Sequence, residues 1–265
     1  MNIETLFGKN STGGDSGLIL KSDKEIDTMR KAGKVVALLL DKLKKSVYPG
    51  MSTKELDVVA AAEIHRLGAK PAFLGYYGFP ATICVSVNNQ IVHGIPGNLI
   101  IKSGDIVSID AGAVVDGFYG DAAITVGTGE ISSEAQNLID ITRNALTHGI
   151  EAVKVGNRIS DIGANIQQYV ESQGSFGIVR EYVGHGIGRS LHEDPPVPNF
   201  GTPGMGPLLE IGMVIAIEPM INIGGKETKT LNDGWTVTTS DGNLSAHFEH
   251  TVAVTESGPE ILTRL

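Results

Sequence analysis

The chain has 265 residues, 41% of them hydrophobic, and a formal charge of -9. That content is ample for a buried core in one large domain or two small ones, while the acidic balance argues against nucleic acid or an anionic membrane as main partner, since both are recognised by clustered Lys and Arg. Its single cysteine, Cys84, excludes an intramolecular disulfide and a thiolate zinc cluster and suits a reducing, cytoplasmic compartment.

Residues 1–17 are polar and small, without the apolar core of a secretory signal or the Arg-rich bias of a transit peptide, and read as a flexible tail ahead of a single domain over 18–265. Ser22 with Glu25 resembles a capping box, and Ile26, Met29, Ala32, Val36 and Leu40 recur at helical spacing up to the break at Tyr48, Pro49 and Gly50. Thr53 is expected to cap a second helix, with Leu56, Ala60 and Ile64 on its apolar face and Gly68 at its end. Strands are predicted over Thr82–Val87, Ile106–Val115 and Phe118–Val126. No stretch approaches the roughly 20 apolar residues of a bilayer span.

The second half repeats this plan. Pro49, Gly50, Leu56, Ile64 and Gly68 match Val155, Gly156, Ile162, Val170 and Gly174 at an offset of 106, and Gly104, Ile106, Ile109 and Asp110 match Gly212, Val214, Ile217 and Glu218 at 108. His93, Gly94, Ile95 also looks like a counterpart of His185, Gly186, Ile187. Amphipathic segments resemble one another by chance, but a true duplication gives an α+β unit with a pseudo-two-fold, and brings Asp110 and Glu218 to equivalent strand ends facing one centre.

Asp110, Glu218 and Glu249 each sit beside an apolar run without nearby Lys or Arg, where an ionised carboxylate is costly unless paired or bound to metal. Asp116 and Gly117 form a strong two-residue hairpin turn. Counting back from it pairs Val115 with Phe118 and Gly112 with Asp121, so Asp110 and Asp121 become diagonal neighbours on one face, about 7–8 Å apart at the backbone. Gly112 opposite Asp121 is expected to leave that space unfilled. Two carboxylates so close make either a metal site or an acid–base dyad, and the further Glu218 and Glu249 favour metal. The imidazole candidate is His185, between Gly184 and Gly186. Alone, a glycine-flanked histidine is more often a turn residue, and the stretch lacks the Lys and Ser/Thr pair of a phosphate loop.

Asn88 to Pro96 around His93, Asp110 and Asp121 eleven residues apart, the run Gly184 to Arg189 with His192 and Glu193, the segment Ile217 to Met220, and Phe248 to Thr251 together resemble type I methionine aminopeptidase, from about Leu18 to the C-terminus. The resemblance implies the pita-bread α+β fold with duplicated halves around a central metal site. It implies that Asp110, Asp121, His185, Glu218 and Glu249 bind two divalent metals (Mn, Fe(II), Co or Zn), and that a metal-bridging water or hydroxide attacks the first peptide bond. Glu218 is then also the proton acceptor, His93 and His192 contact the substrate and stabilise the tetrahedral intermediate, and Tyr76, Phe79, Cys84, His93, Leu191 and Trp235 line the methionine pocket. Individually, either histidine is more commonly a satisfied structural one, and it is their placement within these motifs that favours the functional reading. Asn88, Gln90 and Ser245 match positions that in relatives hold a monovalent cation through backbone oxygens. The implied substrates are nascent polypeptides starting with Met followed by a small residue, with the ribosome as a partner and a monomeric state.

Several positions depart from the family pattern. Phe79 and Leu191 replace tyrosine and phenylalanine, Phe73 stands where some relatives have cysteine, and Gly112 replaces a frequent threonine. The run Asp110, Ala111, Gly112 is shared with proline-specific peptidases of the same fold, the runner-up reading, although those usually carry an additional N-terminal domain. A metal-free binding module is the alternative from another class, which the intact five-residue set disfavours.

Overall fold

The structure, a computed structural model, describes residues 18–265, so the tail read over 1–17 lies outside the described residues. Helix α1 (Asp23–Ser46) starts behind Ser22, whose N–H is accepted by the Glu25 carboxylate at 3.0 Å. Helix α2 (Thr53–Arg66) is capped by Ser52, one residue earlier than expected: Ser52 Oγ accepts the Glu55 N–H at 3.2 Å and Glu55 accepts the Ser52 N–H at 2.7 Å. The reciprocal bond needs an acid three residues on, and Thr53 has Leu56 there. The Thr53 hydroxyl instead accepts the Gly97 N–H at 2.8 Å and donates to the Gly97 carbonyl at 3.1 Å. Gly68, with φ 72°, ends the helix as expected. Helices α3 (Ser133–Glu151) and α4 (Ile159–Gln173) repeat the pair. No described helix is long and apolar enough to cross a membrane.

The strands are β1 (Lys70–Pro71), β2 (Cys84–Val87), β3 (Gln90–Val92), β4 (Ile106–Val115), β5 (Phe118–Gly127), β6 (Gly177–Ile178), β7 (Gly184–Gly186) and β8 (Glu193–Val197). They continue as β9 (Val214–Ile217), β10 (Met220–Asn222), β11 (Thr228–Thr230), β12 (Val237–Thr239), β13 (Ser245–His247), β14 (Glu249–Thr255) and β15 (Gly258–Ile261). The main sheet runs β1-β4-β5-β14-β9-β7-β8, with β2 also on β4 and β15 on β14. The order is symmetric about the β5/β14 seam, where β4 answers to β9 and β2 to β7. The expected duplication is therefore present in the sheet.

Two details of register sharpen it. The hairpin pairs Val115 with Phe118 and Gly112 with Asp121, as counted, with Asp116 and Gly117 both at positive φ. The expected equivalence of His93 and His185 does not hold. His185 pairs with Ala216 and Ser86 pairs with Ser108, so at the offset of 108 it is Ser86 that answers to His185. His93 follows β3 at a positive φ of 59°, outside any strand.

Alternation along the strands divides the sheet into two faces. Ile109, Ala111 and Ala122 pack outward on Leu39, Leu43 and Leu56 of the first helix pair. Ile215, Ile217 and Val252 do the same on Leu138, Ile162 and Ile166 of the second. With both helix pairs on the outer face, Asp110, Gly112, Asp121, Glu249 and His185 are left on the inner one.

Candidate active site

Neighbouring strands line the acidic groups up across the sheet. Asp110 pairs with Ala123 and Ala123 with Glu249, while Asp121 lies diagonally from Asp110 through Gly112. His185 enters from β7 opposite Ala216, and Glu218 follows β9 directly. One ligand atom each of Asp121, His185 and Glu249 lie within 4.8 Å of one another. His185 Nε2 stands 3.8 Å from Glu218 Oε1. Backbone clamps hold these groups: the Thr251 hydroxyl accepts the Asp121 N–H at 3.0 Å and donates to the Asp121 carbonyl at 2.8 Å. Asn199 donates to the Glu218 carbonyl at 3.0 Å.

Electrostatically the cluster lacks a cation. Burial, then the charge of Asp121, pushes the Asp110 carboxyl well above the carboxylate range, and burial pushes Glu218 and Glu249 up likewise. Asp121 is raised by burial to about 7. Burial drives His185 down to about 3, keeping the ring neutral. Among the described residues, Asp110 Oδ1, Asp121 Oδ1 and Glu249 Oε1 are buried without a hydrogen-bond partner, and no Lys or Arg forms an ion pair with these carboxylates.

This chemistry fits a divalent metal. Nδ1 of His185 lies 2.9 Å from the Gly186 carbonyl, which fixes the proton on Nδ1 and leaves the Nε2 lone pair facing Glu218. A lone pair facing a carboxylate oxygen needs a proton or a metal ion between them, and at 3.8 Å the gap is too long for a shared proton. Four carboxylates and one imidazole form the hard, oxygen-rich donor set that divalent first-row ions accept.

Above the acids opens a cavity of about 350 Å³, lined by all five of these groups together with Tyr76, Phe79, Cys84, His93, Leu191, His192 and Trp235. Every site residue expected from the sequence, outside the monovalent-cation set, therefore reaches one cavity. Phe79 meets Trp235 edge-on with centroids 5.1 Å apart, and His93 approaches Trp235 at 6.4 Å. His192 packs beside His185 at 4.1 Å, and its Nδ1 lies 2.7 Å from the Tyr76 hydroxyl. Burial lowers the pKa of His192 and takes His93 down to about 4, so both are neutral near pH 7. At the monovalent-cation positions, the Asn88 carbonyl accepts the Ser245 N–H at 3.0 Å and Ser245 Oγ is buried without a partner, whereas the Gln90 side chain is turned to the Val87 N–H.

Within the site the structure corrects one further expectation and brings in residues that the sequence had not placed there. The space at Gly112 is not unfilled: a Cβ there would meet Phe73 Cε1 and Ala72 Cβ, each at 2.8 Å. The Ala72 N–H donates to the Gly112 carbonyl at 3.0 Å, extending the β1 ladder and laying Phe73 over the glycine. Phe73 and Tyr77 join the cavity lining. Lys21 forms a 2.6 Å ion pair with Glu193, which also accepts the Ser190 N–H at 3.0 Å, anchoring the loop that carries His192. His247 is 1% exposed, and its Nε2 lies 3.6 Å from Glu218 and 4.0 Å from Glu249. The signal for His247 was its place two residues before Glu249, the spacing that puts side chains on one side of an extended chain.

The family model for metallopeptidase family M24 matches residues 27–256. A methionine aminopeptidase of Clostridium perfringens is 58% identical over 246 residues, covering 93% of this chain and 98% of its own length. A methionine aminopeptidase 1 of Bacillus subtilis is 52% identical over 248 residues, covering 94% and 100%. The crystal structure of methionine aminopeptidase from Thermotoga maritima superposes with a TM-score of 0.92 at 46% identity, over 94% of this chain and 100% of that one. Sequence, sheet symmetry and site agree: the chain has the pita-bread fold and belongs to metallopeptidase family M24, on its methionine aminopeptidase branch.

Proposed function

We infer that this protein is a metal-dependent aminopeptidase that removes N-terminal methionine, with residues 18–265 as one catalytic unit. The observation that carries this reading is a cavity whose floor is five metal-type ligands, Asp121, His185 and Glu249 buried and Asp110 and Glu218 half-buried, in a chain 58% identical to a methionine aminopeptidase. Asp110, Asp121, His185, Glu218 and Glu249 would hold two divalent ions, and manganese, iron(II), cobalt and zinc all suit the donor set. Such ions, when bound, lower the pKa of water and polarise a carbonyl, so that a peptide bond is cut near neutral pH without a serine or cysteine nucleophile.

The chain's own residues supply the rest. Phe79, Cys84, Leu191 and Trp235 enclose a linear thioether side chain, which aromatic faces and a thiol suit. Glu218, ionised when metal is bound, would take the proton of the attacking water and pass it to the leaving amine as the new C–O bond forms and the C–N bond breaks. The Tyr76 hydroxyl lies 2.7 Å from His192 Nδ1; with the hydroxyl as donor, His192 carries its proton on Nε2, where it serves the developing oxyanion. His93 provides a second neutral imidazole to the substrate backbone. The confined cavity supports a small second residue in the substrate. The reading extends to nascent chains in the cytoplasm as substrates, met at the ribosome by a monomeric enzyme, and to a monovalent cation held by backbone oxygens at Asn88, Gln90 and Ser245.

The test is to strip the protein with a chelator, restore it with Mn(II), Fe(II), Co(II) or Zn(II), and follow free methionine from Met-Ala-Ser. Release that depends on added metal is expected; no release with any of the four ions overturns the reading.

A further inference from the structure

His247 is a buried imidazole at the metal centre that none of the roles above uses. Its backbone is clamped by one hydroxyl: Thr125 Oγ1 accepts the His247 N–H at 2.9 Å and donates to the His247 carbonyl at 2.8 Å. Because Thr125 gives its only proton to that carbonyl, the 2.8 Å contact between the Ser108 and Thr125 hydroxyls has Ser108 as donor. A chain of two hydroxyls thus fixes where the ring sits. The same double clamp, from Thr251, holds the backbone of Asp121.

The ring is aimed at two carboxylates. Nε2 lies 3.6 Å from Glu218 Oε2 and 4.0 Å from Glu249 Oε2, and among the described residues it has no hydrogen-bond partner. It differs from His185 in one chemical respect. His185 commits its proton to the Gly186 carbonyl and presents a lone pair to the acids, as a ligand must. At His247 no acceptor among the described residues draws the proton to Nδ1, and a lone pair on Nε2 would face only the carboxylate oxygens of Glu218 and Glu249. The favourable tautomer places N–H toward Glu218. The gap of 3.6 Å is a few tenths of an ångström beyond hydrogen-bond length, within reach of a small rotation of the Glu218 carboxylate.

We propose that His247 is a positioning residue: its Nε2–H hydrogen-bonds to Glu218 in the metal-loaded enzyme and fixes the orientation of the carboxylate that both binds metal and moves the proton. This rests on the metal-dependent reading of the site above. Groups that orient a metal's ligands in this way typically account for about 10–100-fold in affinity or activity.

Three measurements decide it. Metal-free wild type, His247→Leu and His247→Gln are titrated with Mn(II) by calorimetry, and kcat and KM are measured on Met-Ala-Ser. The leucine variant is expected to lose about 10–100-fold in Mn(II) affinity or kcat with little change in KM, and the glutamine variant, which keeps an N–H donor, to recover most of the loss. A folded leucine variant with unchanged Mn(II) binding and kcat, or a glutamine variant as impaired as leucine, overturns the proposal. Imidazole ¹⁵N spectra of wild-type protein with Zn(II) need no variant: a protonated, slowly exchanging Nε2 on His247 is expected, and an unprotonated Nε2 overturns the assignment. Wild-type methionine release tests the underlying function separately, so failure of one is distinguishable from failure of the other.

Discussion

The ring of Phe73 lies where a side chain on Gly112 would have to stand, with 2.8 Å from its Cε1 to a Cβ at that position. Gly112 is itself opposite Asp121, so Phe73, which lines the cavity, packs over the glycine beside a carboxylate proposed to bind metal. Gly112→Ala is expected to destabilise the protein by about 1–3 kcal/mol through overpacking. The same substitution in a Phe73→Ala background should cost less, because the contact with the ring is gone and only the one with Ala72 Cβ remains. Urea unfolding of the four proteins measures the coupling, and equal costs in both backgrounds refute it.

Metal-free protein should show a distinctive dependence on pH. Asp110, Glu218 and Glu249 are raised by burial and Asp121 to about 7, so the folded state holds protons that the unfolded state releases near pH 4. Their stabilising contribution is complete below the unfolded value and is lost as pH rises through the folded one. His185 and His247, lowered to about 3, and His93 and His250, lowered to about 4, act oppositely below the ordinary histidine value of 6.5. Above pH 6.5 only the carboxylates still act. Melting temperature without metal is therefore expected to fall from pH 6.5 to 8.5, and added Mn(II) to raise it more at the higher pH. Metal binding that releases no protons near pH 7, seen as a heat independent of buffer, would contradict this.

Asp121→Ala and His185→Ala should abolish turnover, with losses beyond the ~10–100-fold typical of groups that merely support a metal's ligands. Far-UV circular dichroism should be unchanged, since burying the Asp121 carboxylate is itself costly and its removal takes nothing from the core. Retained turnover in either variant refutes the ligand assignment.

Lys21 and Glu193 form a 2.6 Å ion pair with side chains only 4% and 6% exposed. Removing one partner of such a pair strands the other charge in the interior, so Lys21→Ala is expected to cost about 3–5 kcal/mol. Because Glu193 follows His192, kcat on Met-Ala-Ser should fall as well. Unfolding and steady-state kinetics on one preparation check both effects, and a loss under 1 kcal/mol would show the pair to be effectively solvated.

Much of the site was legible because its elements are local or symmetric. The Asp116-Gly117 turn is a two-residue signal that fixes ten pairs of one hairpin, and with them the Asp110 and Asp121 diagonal. The duplication put Glu218 opposite Asp110 because β4 and β9 are equivalent strands in one sheet. What failed was non-local. Gly112 looked open because nothing in its neighbourhood shows that β1 lays Phe73 across it. His93 and His185 share a tripeptide, but only strand pairing reveals that they occupy different places. His247 and Lys21 acquire meaning from contacts with Glu218 and Glu193, many residues away in the chain.

The most direct measurement offers metal-restored protein Met-Ala-Ser and Ala-Pro-Ser side by side and identifies the released amino acids by mass spectrometry. Free methionine from the first peptide and an intact second peptide are expected. Cleavage of the Ala-Pro bond with Met-Ala-Ser untouched would contradict the account and assign the cavity to proline-specific hydrolysis.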